Sequence, residues 1–221
     1  MKLTQRTAME VASHEAVIRQ AYKDSVSVWT WSVGLTNNSG HNVERYIDKI
    51  QTLEHCLEIY VWALEKYADD VRDAFAGHEL TEAQFAGALS FHWNTGAIGR
   101  ASWVRHWKAG NTAKAKKSIM YWKTPPEIIP RRKAERDLFF KGVWTNEGYM
   151  VEYTRLTSRH TPVWSSATRI DVSAILMKLM NPTAPPHPSP PPVDYEWVAP
   201  DVPVPPSGFW AWLMSLFTRK E

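Results

Sequence analysis

His14-Glu15-Ala16-Val17-Ile18-Arg19-Gln20-Ala21-Tyr22-Lys23-Asp24-Ser25-Val26-Ser27-Val28-Trp29-Thr30-Trp31-Ser32-Val33-Gly34 is the stretch that decides the fold of this chain. Ala8, Val11, Ala12 and Ile18 recur at steps that suit one face of a helix. They predict an amphipathic helix from about Thr4 to Ala21, with Glu15 near its C-terminal end. From Tyr22 to Gly34 the chain is rich in β-branched and aromatic residues and partly alternates, which predicts a small hairpin. Thr36-Asn37-Asn38-Ser39-Gly40 is turn chemistry and closes it. A helix-to-sheet corner can set Glu15 and Asp24 across one cleft. Glycoside hydrolysis needs a carboxyl to protonate the leaving oxygen and a second group to activate water or stabilise positive charge on the sugar. Trp29, Trp31 and Val17 could desolvate Glu15 and raise its pKa, as a general acid requires. Taken alone, two carboxylates nine residues apart are ordinary, and more readily two solvated groups at a helix end.

Outward from this stretch the pattern is helical. Ile47, Ile50, Leu53, Leu57, Val61, Leu64, Ala68, Val71 and Phe75 recur at steps of three and four, and Gly77 ends the run. Thr52 with His55 makes a poor capping box, so this helix could break near Gln51. Thr81 followed by Gln84 is a good capping box, and its helix runs to Asn94-Thr95-Gly96. Shorter helices are predicted at about 100–109, 111–122 and 130–141, with Pro125 and Pro126 between the last two. The expected class is α+β and mostly helical, a two-lobed domain with a small N-terminal β-hairpin lobe, a helical lobe and a C-terminal extension.

Three blocks of this pattern resemble the phage-type, T4-like lysozyme family. The first is Glu15, with Asp24 in a Tyr-x-Asp context nine residues on and Thr30 six residues further in a hairpin. The second is Gln84 to Gly96, similar to that family's central helix with its Asn/Gln-x-Gly end. The third is Pro130-Arg131-Arg132-Lys133-Ala134-Glu135-Arg136-Asp137-Leu138-Phe139, similar to its arginine-rich last helix. The resemblance covers about residues 5–142. It implies a muramidase in which Glu15 is the general acid, Asp24 positions water or stabilises the oxocarbenium charge, and Thr30 helps hold the attacking water, with inversion. It places Arg131 against the catalytic glutamate, where the alternative is a surface helix charge. It places Asn94 towards substrate, where the alternative is a helix C-cap. Ser32 and Leu35 depart from the family's Gly-x-Gly-His run, and Ala16 replaces a glycine, so the lobe between 32 and 42 is where the match is weakest. His41 could fill the missing histidine's volume or stand exposed.

The 221 residues divide, on this reading, into a catalytic domain at 1–142, an extension at 143–180, a proline-rich linker at 181–208 and an aromatic tail at 209–221. The extension reads as a hairpin, Tyr149 to Leu156, then a helix from Ser166 or Thr168 to Met180, either packed on the core or offered to a partner. Phe209, Trp210, Trp212 and Phe217 with Arg219 and Lys220 suit either an interfacial membrane anchor or docking on the protein's own surface or another copy. Twelve tryptophans suit stacking on sugar rings or a membrane interface. A net charge of +3 favours an anionic partner. A single cysteine, Cys56, excludes an internal disulfide and reads as a small buried hydrophobe. No cofactor and no metal are expected. The expected partner is the peptidoglycan glycan strand rather than nucleic acid, and the expected state a monomer. No signal peptide is read at the N-terminus. The resemblance therefore implies a protein held in a host cytoplasm until lysis and acting at the cell wall, or one carried on a virion. The competing functions are a lytic transglycosylase and a non-catalytic wall-binding or virion module.

Overall fold

Thr4 begins the first helix by accepting the Thr7 amide at 3.1 Å on its hydroxyl, which satisfies one of the helix's free N–H groups. A computed structural model of the chain describes residues 1–24, 27–145 and 148–181. In it, α1 spans Gln5–Ser13 and β1 spans Ala16–Lys23. The helix expected to reach Ala21 therefore stops eight residues early. The reason lies in burial on both faces of β1. Val17 and Ala21 enter the main core, while Ala16, Ile18 and Tyr22 join Tyr153 in a second small core. A strand buried on both sides loses its alternation, and its apolar run then imitates a helical face.

The strands β2 (Trp29–Ser32) and β3 (Leu35–Thr36) complete the expected hairpin region. The helices α2 (Leu53–Ala74) and α3 (Glu82–Thr95) follow. The break near Gln51 is present: Thr52 accepts the His55 amide at 3.1 Å and starts α2 cleanly. At α3 the Thr81–Gln84 capping box forms in both directions. The short helices are α4 (Ser102–Lys108), α5 (Thr112–Ile119) and α6 (Ile129–Lys141). Gly96 and Gly142 end α3 and α6 in the left-handed conformation, at φ 60° and 69°.

The extension carries β4 (Tyr149–Tyr153), β5 (Ala167–Asp171) and α7 (Ser173–Met180). Residues 167–171, expected as the start of a helix, are a strand instead. They are claimed by β4, which they pair antiparallel from Tyr149↔Asp171 to Tyr153↔Ala167. The strand β4 also runs parallel to β1, through Ala16↔Val151 and Val17↔Glu152. The expected turn within 149–156 is thus replaced by two distant partners. One sheet results, in the order β3-β2-β1-β4-β5. The helix α7 packs on α1 and α2, with Leu176 fully buried. The architecture is α+β and mostly helical. The proline-rich linker from Pro182 and the aromatic tail lie outside the described residues. Among the described residues no helix is long and apolar enough to cross a membrane.

Candidate active site

Glu15 sits where one regular element hands over to the next. The His14 and Glu15 amides donate back to Val11 and Ala12 carbonyls at 3.2 and 3.0 Å, and Ala16 already belongs to β1. The corner is therefore held on both sides. The Glu15 side chain is fully buried. Arg131 Nη1 donates to its Oε1 at 2.6 Å. Its Oε2 is buried and has no hydrogen-bond partner among the described residues. Burial raises the carboxyl pKa to about 7; Arg131 pulls the other way, and Glu135 adds a smaller upward push.

Arg131 belongs to a buried charge cluster built by α3 and α6. Its Nε donates to Glu135 Oε1 at 2.9 Å and its Nη2 to the Ser90 carbonyl at 3.2 Å. The Ser90 hydroxyl donates to the same Glu135 oxygen at 2.8 Å. Arg132 donates to the other Glu135 oxygen through Nη1, and through Nη2 to Asn94 Oδ1 at 2.6 Å. Two arginines and two carboxylates thus share one dry site. The charges need one another there, because an unpaired buried ion is costly. The two helices reach this closeness through Gly87, where an added Cβ would lie 3.0 Å from the Glu135 carbonyl oxygen.

Asp24 and Thr30 meet at the hairpin turn through Val28. The Asp24 amide donates to the Val28 carbonyl at 3.1 Å, and the Val28 amide donates to Asp24 Oδ1 at 2.9 Å. The Thr30 hydroxyl donates to the same Val28 carbonyl at 3.2 Å. Tyr22 pairs with Thr30 across β1 and β2. Burial pushes its phenol pKa well up, and the charges of Asp24 and Glu15 push it further. Tyr22 therefore stands within electrostatic reach of both carboxylates.

A cavity of about 110 Å³ opens at Glu15. Gly34, Leu35, Thr36, Asn38 and Ser39 form one wall, and Tyr67 and Trp93 the other. The two rings pack together, 4.9 Å between centroids. Polar groups and aromatic rings lining one cavity suit a sugar, whose C–H faces stack and whose hydroxyls hydrogen-bond. Asp24, Thr30 and Asn94 do not line this cavity. Asn94 is half-buried and held by Arg132, and Gly96, not Asn94, ends α3. The expected Arg131–Glu15 pair is formed directly. Sequence reading missed Tyr67, Trp93, Asn38 and Ser39 as cavity residues. Tyr67 lies outside the apolar periodicity of α2, which was its only signal. The sequence marks Asn38 and Ser39 as turn chemistry alone.

The weakest part of the sequence match is well formed. Ser32 adopts φ 54°, a conformation natural to the glycine it replaces. Its hydroxyl donates to the Cys56 carbonyl at 2.8 Å, which offsets part of the backbone cost. Leu35 is buried and lines the cavity. His41 is not exposed: it is 2% accessible, hydrogen-bonds the Tyr46 hydroxyl at 3.0 Å and stacks on Trp31. Burial, with Arg45 beside it, lowers its pKa to about 4.

A family model described as phage lysozyme matches residues 12–135. No curated protein matches the chain in sequence. Among solved structures, an endolysin from an Escherichia coli phage, FAHEc1, is similar at a TM-score of 0.59 and 20% identity, over 66% of this chain and 98% of that one. A phage P22 lysozyme is similar at 0.53 and 23%, over 64% and 99%. The muramidase domain of SpmX from Asticaccaulis excentricus is similar at 0.53 and 22%, over 63% and 98%. These three likenesses are of fold.

Proposed function

The chain belongs to the phage lysozyme family, and we propose that this peptidoglycan hydrolase cuts the β-1,4 bond between N-acetylmuramic acid and N-acetylglucosamine, with Glu15 as general acid. One observation carries this reading. Glu15 is a dry carboxyl on the cavity wall with a pKa raised to about 7, tethered at Oε1 by Arg131 and unpartnered at Oε2. Such a group holds a proton near neutral pH and has one oxygen with which to deliver it to the glycosidic oxygen. Arg131 fixes the carboxyl by its other oxygen and so sets which one carries the proton.

Asp24 and Thr30 take the remaining roles. Asp24 stabilises positive charge on the ring or orients water. The Thr30 hydroxyl, whose proton goes to Val28, presents lone pairs that accept a water's hydrogen bond. Water attacks from the opposite face and the product anomer is inverted. Asn94 contributes at one remove, through Arg132. The protein acts on the cell wall in lysis, and its substrate is the glycan strand.

The test is release of reducing ends from purified peptidoglycan by the full chain, with Glu15→Gln as control. The proposal expects reducing N-acetylmuramic acid ends from the native chain and none from the variant; a variant as active as the native chain overturns it. One observation favours a second reading: neither Asp24 nor Thr30 lines the Glu15 cavity. A lytic transglycosylase needs no water-holding pair. Anhydro-muramyl ends by mass spectrometry, unaffected by Asp24→Asn or Thr30→Val, would establish it instead.

A further inference from the structure

Residues 83–126 hold seven of the chain's 26 Lys and Arg and none of its 23 Asp and Glu. The rest of the chain is therefore net acidic, and the whole positive excess comes from this one stretch. The structure concentrates it at the corner between α4 and α5. The Gly110 and Asn111 amides donate to the Trp107 and His106 carbonyls at 2.8 and 2.9 Å, and the Asn111 side chain starts α5 by accepting the Lys114 amide at 3.2 Å. Every residue from Ala109 to Lys114 is exposed, so the corner projects from the domain. Arg105 and Lys114 reach His106 from the two helices. Desolvation, then the charges of Lys114 and Arg105, lower the imidazole pKa.

Other cations of the stretch have local partners. Lys108 Nζ donates to the Ala74 carbonyl at 2.9 Å, Lys116 lies over the Phe140 ring, and Arg100 lies over the Trp122 ring. Arg105, Lys114 and Lys117 are exposed and form no ion pair among the described residues. Lys114 and Lys117 stand three residues apart on α5, a spacing at which like charges repel. No carboxylate of the described fold offsets that repulsion, which suits a surface that meets an anion from outside. Tyr121 follows four residues after Lys117 and is 63% exposed.

We propose that this corner docks the protein on an acidic phospholipid bilayer, with Arg105, Lys114 and Lys117 against the phosphates and Tyr121 at the headgroup boundary. The proposal is independent of the chemistry at Glu15, because none of these residues lines that cavity. Two observations favour a bilayer over an anionic polymer. A single strand is gripped in a groove, whereas a plane of phosphates can be met by a projecting corner. The exposed ring beside the cations is the second. A tyrosine, apolar in its body and polar at its tip, suits the boundary where hydrocarbon gives way to headgroups.

The experiment pellets the full-length chain with vesicles of mixed phosphatidylethanolamine and phosphatidylglycerol, and with vesicles of phosphatidylcholine alone. The native chain is expected to bind the acidic vesicles more tightly, and to lose that preference towards 1 M salt, where the screening length is about 3 Å. The triple variant Arg105→Gln, Lys114→Gln, Lys117→Gln should bind acidic vesicles roughly a hundredfold more weakly, about fivefold for each cation near an anionic surface. The triple variant Lys49→Gln, Arg155→Gln, Arg159→Gln removes the same charge from exposed positions elsewhere and should bind like the native chain. Tyr121→Ser should weaken vesicle binding and leave its salt dependence unchanged. The aromatic tail is present in every chain compared, so it contributes equally to all. Melting temperatures within a degree or so of native show that the variants fold. Equal losses in the two triple variants make the binding a matter of net charge and overturn the docking corner. So does a corner variant that keeps its vesicle binding while losing binding to purified peptidoglycan or to duplex DNA, since the face then serves a polymer.

Discussion

The Glu15 carboxyl is gripped by Arg131 at 2.6 Å on one oxygen and left without a hydrogen bond on the other. This asymmetry sets the ionisation of the site. A buried ion pair normally keeps its acid deprotonated, yet here desolvation outweighs the guanidinium and the carboxyl stays protonated to about pH 7. The pair is therefore a tether more than a neutralised couple.

The pH–rate profile follows. A general acid must hold its proton, so activity is expected to fall as pH rises through about 7, with unit slope in log rate. Reducing-end release measured from pH 5 to 9 checks this. A profile flat through pH 8 would remove Glu15 as the titrating acid.

Stability should move in the same window. The folded-state pKa of Glu15, about 7, lies above the ordinary glutamate value of 4.5. Between these values the folded chain keeps a proton that the unfolded chain has lost. Stability therefore decreases as pH rises through that range and the cost is complete above it, at roughly 3 kcal/mol by linkage. Glu15→Gln cannot titrate. Its Tm is expected to exceed that of the native chain at pH 8, with the gap closing towards pH 4.5. A variant less stable than native at pH 8 would contradict the raised pKa.

Ser32 separates backbone strain from a hydrogen bond. Ser32→Ala keeps the positive φ and loses the bond to the Cys56 carbonyl, and is expected to cost about 1 kcal/mol. Ser32→Gly loses the same bond but relaxes the φ, so it should lie within about 0.5 kcal/mol of native. Ser32→Val, β-branched in a left-handed position, should be the worst of the three. Urea midpoints rank them.

Gly87→Ala is a favourable change for an exposed helix and an unfavourable one here. The new Cβ would meet the Glu135 carbonyl oxygen and the Phe139 amide nitrogen at 3.0 Å, both backbone atoms. Pushing α3 and α6 apart is expected to cost about 1–3 kcal/mol. It should also lower activity, because Glu135 orders Arg131, which orders Glu15. A variant of native stability would show that the helices can slide freely.

Local signals in the sequence survive into the structure wherever one segment carries the whole device. The Thr81–Gln84 box, the glycine end at Gly96 and the break near Gln51 depend on a few neighbouring residues, and all are readable. The Glu15–Arg131 contact joins residues far apart, and only the ordered resemblance of three blocks pointed to it. Where partners are distant and unmarked, reading failed. Nothing near Val17 or Ile18 announces that β4 will cover their strand, so β1 looked like helix. Residues 167–171 looked like the first turn of α7 for the same reason. Trp93 is hidden because a cavity-lining aromatic on a helix has the same spacing as a core aromatic, and Tyr67, off the periodicity of α2, because nothing beside it in sequence marks the cavity it lines.

The parallel pairing of β4 with β1 also has a meaning in time. The edge of β1 at Ala16 and Val17 is paired by β4, and β4 emerges from synthesis long after β1. A chain made only as far as α6 would present that edge open, next to Glu15, as a template for another strand. Such long-range closure is also slow to form. The extension thus closes the sheet beside the Glu15 corner late, and that sheet is complete only once the last of its strands has been made.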